Sequence, residues 1–217
     1  PHHLTPWRSG RWPDGVFIAM DRFRIGLAAA ALVLVGALLV HALQGSPAGG
    51  SSSPGVATSD RLAPADERSA APDFQGIDAW INSPPLSLAS LRGKVVLVDF
   101  WTYSCINCIR TIPHLQWLNA TYGSRGLVIV GVHSPEFDFE KVQANVAQAV
   151  RNDGITWPVA LDSEMATWNA YQNQYWPAEY LIDQQGRIAY AAFGEGQDVE
   201  TNAAVATLLA APQPSAT

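Results

Sequence analysis

The chain of 217 residues is long enough for one domain of ordinary size with additional segments, and 48% of it is apolar, enough to bury a core. Its formal net charge of −6 is unevenly spread: residues 1–70 carry six Lys/Arg against five Asp/Glu, residues 71–217 seven against fourteen. Nucleic-acid binding needs a basic footprint, so the acidic balance of the larger part argues against that class.

Residues 1–24 show no hydrophobic periodicity until Met20, after which MDRFR reads as a short charged leader; Met20 is the expected start, with the preceding segment disordered or untranslated. Residues 25–43, IGLAAAALVLVGALLVHAL, form an uncharged apolar run whose length suits a single membrane-spanning helix better than a signal-peptide core. Arg22 and Arg24 precede it and the next basic residue is Arg61, so the positive-inside rule leaves the N-terminus in the cytoplasm and exports the rest. The expected location is therefore the cell membrane, single-pass, with the C-terminal domain on the periplasmic or extracellular side. Val40-His41-Ala42 is a passable cleavage site, and a cleaved signal is the alternative. Residues 44–71, rich in Gly, Ser, Pro and Ala, are expected as a flexible linker, and 72–212 as the folded domain.

Val95 to Trp101, VVLVDFW, reads as a fully buried strand. From Cys108, the spacing of Ile109, Ile112, Leu115, Leu118 and Tyr122 predicts a helix ended by Gly123. Leu127 to Val132 is a second buried strand. Asp138 is placed to cap a helix turning Phe139, Val142, Val146 and Val150 to the core, as far as Asn152-Asp153-Gly154. A short strand, Trp157 to Leu161, precedes a brief helix capped by Ser163 and reaching about Asn173. Strands Tyr180–Asp183 and Arg187–Phe193 flank the turn Gln184-Gln185-Gly186, and Asp198 opens a last helix with Val199, Ala203, Ala206 and Leu209 on its inner face. Alternating strands and helices closed by a hairpin and a helix predict an α/β sandwich with a central mixed sheet.

Cys105 and Cys108, the two cysteines, stand where the first strand gives way to the first helix. Unpaired N–H groups at a helix N-terminus stabilise a thiolate, the nucleophile of disulfide exchange. Three residues on, Cys108 lies on the same face, within reach of a mixed disulfide on its neighbour. A structural zinc site wants a second pair of ligands, and only His114 and His133 lie near in sequence. A staple would close too small a loop to constrain the unfolded chain. A peroxidase reading has Thr102 three residues before Cys105, but the proline it needs four residues earlier is Val98. The redox pair, needing no cofactor and no metal, is the favoured reading. A non-catalytic Cu(I) or haem-pathway thiol chaperone is the alternative; Cu(I) would normally recruit a third soft ligand.

The stretch VDFWTYSCINCIRTIP resembles thioredoxins, with Asp99 six residues before Cys105 and Pro113 five after Cys108. Trp176-Pro177-Ala178-Glu179-Tyr180-Leu181-Ile182-Asp183 resembles the cis-proline loop and following strand of that family. The leading segment, the inserted helix expected at 138–153 and the phrase LIDQQGRI resemble the exported TlpA-like branch, and the phrases WTYSCINC, GVHSPEF and YWPAEYLID are similar to the thioredoxin domain of DipZ-type proteins. The resemblance, which covers roughly residues 72–211, implies a thioredoxin-like sandwich, and the apolar run 25–43 is expected to precede it as one N-terminal transmembrane helix. It implies a thiol–disulfide oxidoreductase in which Cys105 exchanges, Cys108 resolves and Asp99 relays a proton. Its partners would be protein dithiols or disulfides and a membrane electron donor or acceptor. Trp176, Pro177, Glu179 and Trp101 are the candidate substrate-contacting residues, strand alternation leaving Glu179 to face either the site or solvent. Thr111 stands where some TlpA-like reductases carry a catalytic Glu, so no acid role is assigned to it. His114 and His133 are read as structural.

Overall fold

The structure, a computed structural model, describes residues 62–211. The segment 1–24, the apolar run 25–43 and most of the linker lie outside the described residues; among those described, no helix is long and apolar enough to cross a membrane.

Six strands order as β1-β4-β3-β2-β5-β6: β1 Ala79–Ile81, β2 Val95–Trp101, β3 Leu127–His133, β4 Val159–Leu161, β5 Ala178–Ile182 and β6 Ile188–Phe193. β2 pairs parallel with β3 and antiparallel with β5; β3–β4 is parallel, while β1–β4 and β5–β6 are antiparallel. The mixed sheet expected from the alternation of elements is present. All of β2 is buried because it has a strand on either side and a packed layer on each face.

The helices are α1 Ile106–Tyr122, α2 Gln143–Asn152, α3 Ala166–Ala170 and α4 Asp198–Ala210. One face of the sheet packs Leu97, Trp101 and Leu181 with Cys108, Ile112 and Leu115 of α1, Val146 and Val150 of α2, and Val205 and Leu208 of α4. The other packs Val96, Val98, Phe100, Val130, Val132 and Tyr180 with Trp168 and Tyr171 from the α3 side.

Several local expectations are corrected. The helix expected from Asp138 is a 3-10 turn, Asp138–Lys141, followed by α2. Phe139 and Val142 are 53% and 48% exposed, because the turn points Glu140 inward instead. The N-cap of α3 is Met165 and not Ser163, and the first-turn N–H groups of Thr167 (3.0 Å) and Trp168 (2.8 Å) donate to the Asp162 carboxylate. α4 buries Thr201, Ala204, Val205 and Leu208, leaving Val199 74% exposed. Its inner face is rotated from the expected stripe, which brings the Thr201 hydroxyl onto Glu179 at 2.9 Å. β1, only three half-buried residues, was not anticipated, and β4 is confined to Val159–Leu161.

Residues 62–71 belong to the folded unit and not to a free linker. Ala63 N–H donates to Ala189 O (2.9 Å), Ile188 N–H to Ser69 O (2.9 Å), and Arg68 pairs with the Asp183 carboxylate at 3.1 Å. The segment runs along β6 and adds an isolated bridge between Ala70 and Arg187.

Candidate active site

β2 delivers the chain to a tight turn in which Cys105 N–H donates to Thr102 O at 3.2 Å. Cys105 has extended backbone angles (φ −75°, ψ 110°) and is the N-cap of α1, its Sγ accepting from the Cys108 N–H at 3.3 Å. The sulfur thus does what a Ser or Asp oxygen does at a helix start, with the positive end of the helix dipole behind it. Both cysteines are free thiols; Cys105 is half-buried and Cys108 buried. Burial, then the hydrogen bond with Cys105, hold the Cys108 proton well above the ordinary thiol range. Pro113 sits inside α1 and removes one helical hydrogen bond below the site.

Beneath the dithiol lie two carboxyls. Asp99 on β2 is 3% exposed, and Glu179, its register partner on β5, is 8% exposed. Burial, reinforced by Glu179, pushes Asp99 well above the usual carboxylate range. Glu179 is pushed up to about 7 by burial, with Asp198 adding to the rise and the Thr201 hydroxyl opposing it. Asp99 Oδ1 is buried without a hydrogen-bond partner.

A second buried acid organises the outer wall. Glu140 is 0% exposed and accepts from Ser104 Oγ (2.5 Å), Glu136 N–H (2.6 Å) and Phe137 N–H (2.9 Å). Burial favours its neutral form, but hydrogen bonds from Ser104, Thr102 and the two backbone amides outweigh it and keep the carboxyl below its ordinary value. Glu140 therefore ties the loop after β3 to the residue just before Cys105. On the same side His133 Nε2 lies 3.3 Å from Thr102 Oγ1, with the Tyr103 ring stacked on the imidazole at 5.7 Å. Burial lowers His133 to about 4, so it is neutral. The Trp176–Pro177 peptide bond is cis, and Trp176 Nε1 donates to Ser134 O at 2.9 Å. Because Ala178 pairs with Phe100, Pro177 stands at the C-terminal end of β2, the end from which the cysteine turn departs. Ile106, Phe137, Phe139, Tyr175 and Phe193 are exposed.

Residues 68–191 match the AhpC/TSA family over more than half of the chain. The chain belongs to the AhpC/TSA family. It is 50% identical over 169 residues to protein DipZ of Mycobacterium tuberculosis, a match covering 73% of this chain and 24% of DipZ, so the chain spans about a quarter of that relative. It is 28% identical over 123 residues to the thiol-disulfide oxidoreductase YkuV of Bacillus subtilis, covering 57% of this chain and 82% of YkuV. A crystal structure of a thioredoxin-like superfamily protein superposes with a TM-score of 0.62 at 28% identity, covering 67% of this chain and 99% of that one. The fold is thioredoxin-like, and the sequence is of DipZ type.

Within this AhpC/TSA-family chain, Cys105, Cys108 and Asp99 meet at the C-terminal end of β2 and the start of α1. Trp176 and Pro177 lie at the same end of the sheet. Trp101 and Glu179 do not line an open groove: Trp101 is buried edge-on against His133 (5.3 Å), and Glu179 is inside, opposite Asp99. Thr102, the residue a peroxidase reading would use, is fully buried against His133. Among the described residues no group of three or more His, Cys, Asp or Glu could hold a metal ion. Sequence reasoning missed Ser104, Glu140 and Thr201. Glu140 looks like an ordinary solvent acid on a polar turn; the hydroxyl in WTYSC, next to the cysteine, was the one hint that a buried acceptor was needed.

Proposed function

We propose that the chain is a membrane-held thiol–disulfide oxidoreductase, its domain outside the cytoplasm, that exchanges disulfides with protein partners through Cys105 and Cys108. The observation that carries this reading is the asymmetry of the pair: Cys105 caps α1 and is half-buried, while Cys108 is buried one turn inside. A capping thiolate is stabilised by the amide groups around it and attacks; a buried neutral thiol waits and resolves. Asp99 receives and returns the Cys108 proton, and Pro177 with Trp176 forms the wall against which a partner's chain lies. The YkuV relative, named a thiol-disulfide oxidoreductase, supports the assignment. The apolar run at 25–43 supports the membrane attachment, and a membrane protein that donates or accepts electrons is the expected second partner.

The test is reduction of insulin by dithiothreitol with and without the chain, with a glutathione redox titration of the Cys105–Cys108 couple and metal analysis of the purified protein. Catalysed reduction and a single two-electron transition are expected. No catalysis, with stoichiometric bound copper, would replace this reading with a thiol chaperone.

A further inference from the structure

Asp99 has a neighbour that dithiol exchange alone does not require. Directly opposed residues on antiparallel strands share a face, with Cβ atoms about 4.5–5.5 Å apart. Asp99 and Glu179 are such a pair, and the residues that alternate with them, Leu97, Trp101 and Leu181, belong to the cluster that contains Cys108. Both carboxyls therefore point toward α1 and α4. On its other flank Asp99 is paired with Gly131 of β3, where an added Cβ would meet Trp101 Nε1 at 2.9 Å, so no cationic side chain fits beside it there.

The other facing groups are few. From α1 comes Cys108, whose thiol feels the Asp99 charge. From α4 Thr201 Oγ1 donates to Glu179 Oε2 at 2.9 Å, and Asp198, 3.6 Å from His114 Nδ1 of α1, adds negative charge near Glu179. Among the described residues neither Asp99 nor Glu179 takes part in an ion pair. Two adjoining carboxyls out of water with no cation do not both ionise; one proton stays with the pair. The unpartnered Asp99 Oδ1 is the atom left open to receive another.

We propose that Asp99 and Glu179 hold one proton in common in the reduced protein, and that Glu179, by taking it, leaves an Asp99 oxygen bare to accept the proton of Cys108. The proposal deepens the oxidoreductase reading and rests on it for its functional half. In resolution the partner is bound through a Cys105–partner disulfide. The Cys108 proton passes to Asp99, and the Cys108 thiolate attacks Cys105 Sγ. The Cys105–partner bond breaks as the Cys105–Cys108 bond forms, and the partner sulfur leaves as a thiolate that takes a proton from water. The dithiol has given two electrons to the partner disulfide, and the carboxyl pair has gone from one proton to two. Glu179 touches no reacting sulfur in this scheme; it is a positioning residue for the proton.

Carboxyl ¹³C NMR of the full reduced chain tests the shared proton without any turnover. The Asp99 and Glu179 signals should titrate together in two common steps. Glu179→Gln, which keeps an oxygen for Thr201, should lower the Asp99 midpoint by about one pH unit or more. Asp99→Asn should lower the Glu179 midpoint by the same amount, since coupling is reciprocal. An unmoved midpoint in either variant overturns the proposal, and if one variant fails to fold the other decides. For the functional half, the rate of resolution of a preformed mixed disulfide is followed against pH. In Glu179→Gln its low-pH limb should stay in place, because the amide imitates the protonated Glu179, while the inflection at which the pair gives up its last proton should vanish; a profile identical to the wild type's overturns the role given to Glu179. Coupled titration in a chain that catalyses no exchange would sink the oxidoreductase reading and leave the shared proton standing.

Discussion

The Sγ of Cys105 accepts a hydrogen bond from the Cys108 N–H at 3.3 Å, so the first cysteine caps the helix in which the second is buried. The two thiols therefore differ in environment although three residues separate them. Cys108→Ser should accumulate mixed disulfides with partner proteins, visible on a non-reducing gel and dissolved by reductant. Cys105→Ser should trap few or none, and both variants should lose turnover. Trapping by Cys105→Ser alone would show that the order of attack is reversed.

Glu179 carries a pH signature in stability. Its folded pKa of about 7 lies above the ordinary 4.5, so the neutral form is the one the fold favours. The contribution is complete below about pH 4.5 and is lost as pH rises through about 7, amounting to about 3 kcal/mol. Glu179→Gln, neutral throughout, should gain on the wild type by that order at pH 8 and by little at pH 4, read from urea midpoints.

His133 has the opposite sign. Burial depresses it from 6.5 to about 4, so its neutral form stabilises the fold above pH 6.5 and the stability is lost as pH falls through about 4. The loss is again about 3 kcal/mol. Between about pH 4.5 and 6.5 the two slopes oppose each other. Asp99, raised by burial, adds to the falling slope, so the His133→Gln variant should lose stability across this window more steeply than the wild type. Parallel profiles for wild type and His133→Gln would show that the imidazole does not titrate between folded and unfolded states.

Glu140 is the anchor of the outer wall. Glu140→Ala leaves the Ser104 hydroxyl and the N–H groups of Glu136 and Phe137 without their acceptor. Stranding buried donors of this kind costs about 3 kcal/mol or more. Glu140→Gln, which keeps one acceptor oxygen, should lose about half as much in thermal or urea unfolding. An equal loss in the two variants would assign the effect to charge and not to hydrogen bonding.

How far the sequence discloses this molecule depends on whether a residue's neighbours are near it in the chain. β2 is legible residue for residue because an unbroken apolar run means burial on both faces, whatever covers it. Asp99, Cys105 and Cys108 were legible because they occupy fixed spacings around that strand and the α1 entrance, and the Trp176–Pro177 step because WPAEYLID resembles the cis-proline loop of thioredoxins. Glu140 was not, since the donors that make it an inward residue include Ser104, 36 positions away. The α4 stripe was misread for the same reason: apolar periodicity favours Val199, while Thr201 is drawn in by Glu179, 22 positions away. β1 has three residues without clear alternation, and its pairing with β4 is what defines it.

The segment 62–71 meets β6 at Ala189 and the Asp183–Arg187 turn, the end of the sheet marked by Ile182 and Val96. The cysteines leave from the other end of β2, beyond Trp101, so the two poles stand about 20 Å apart, the length of that strand. The chain therefore joins the described unit at the pole away from its thiols, and a probe attached at Leu62 would sit a full strand length from the exchange chemistry.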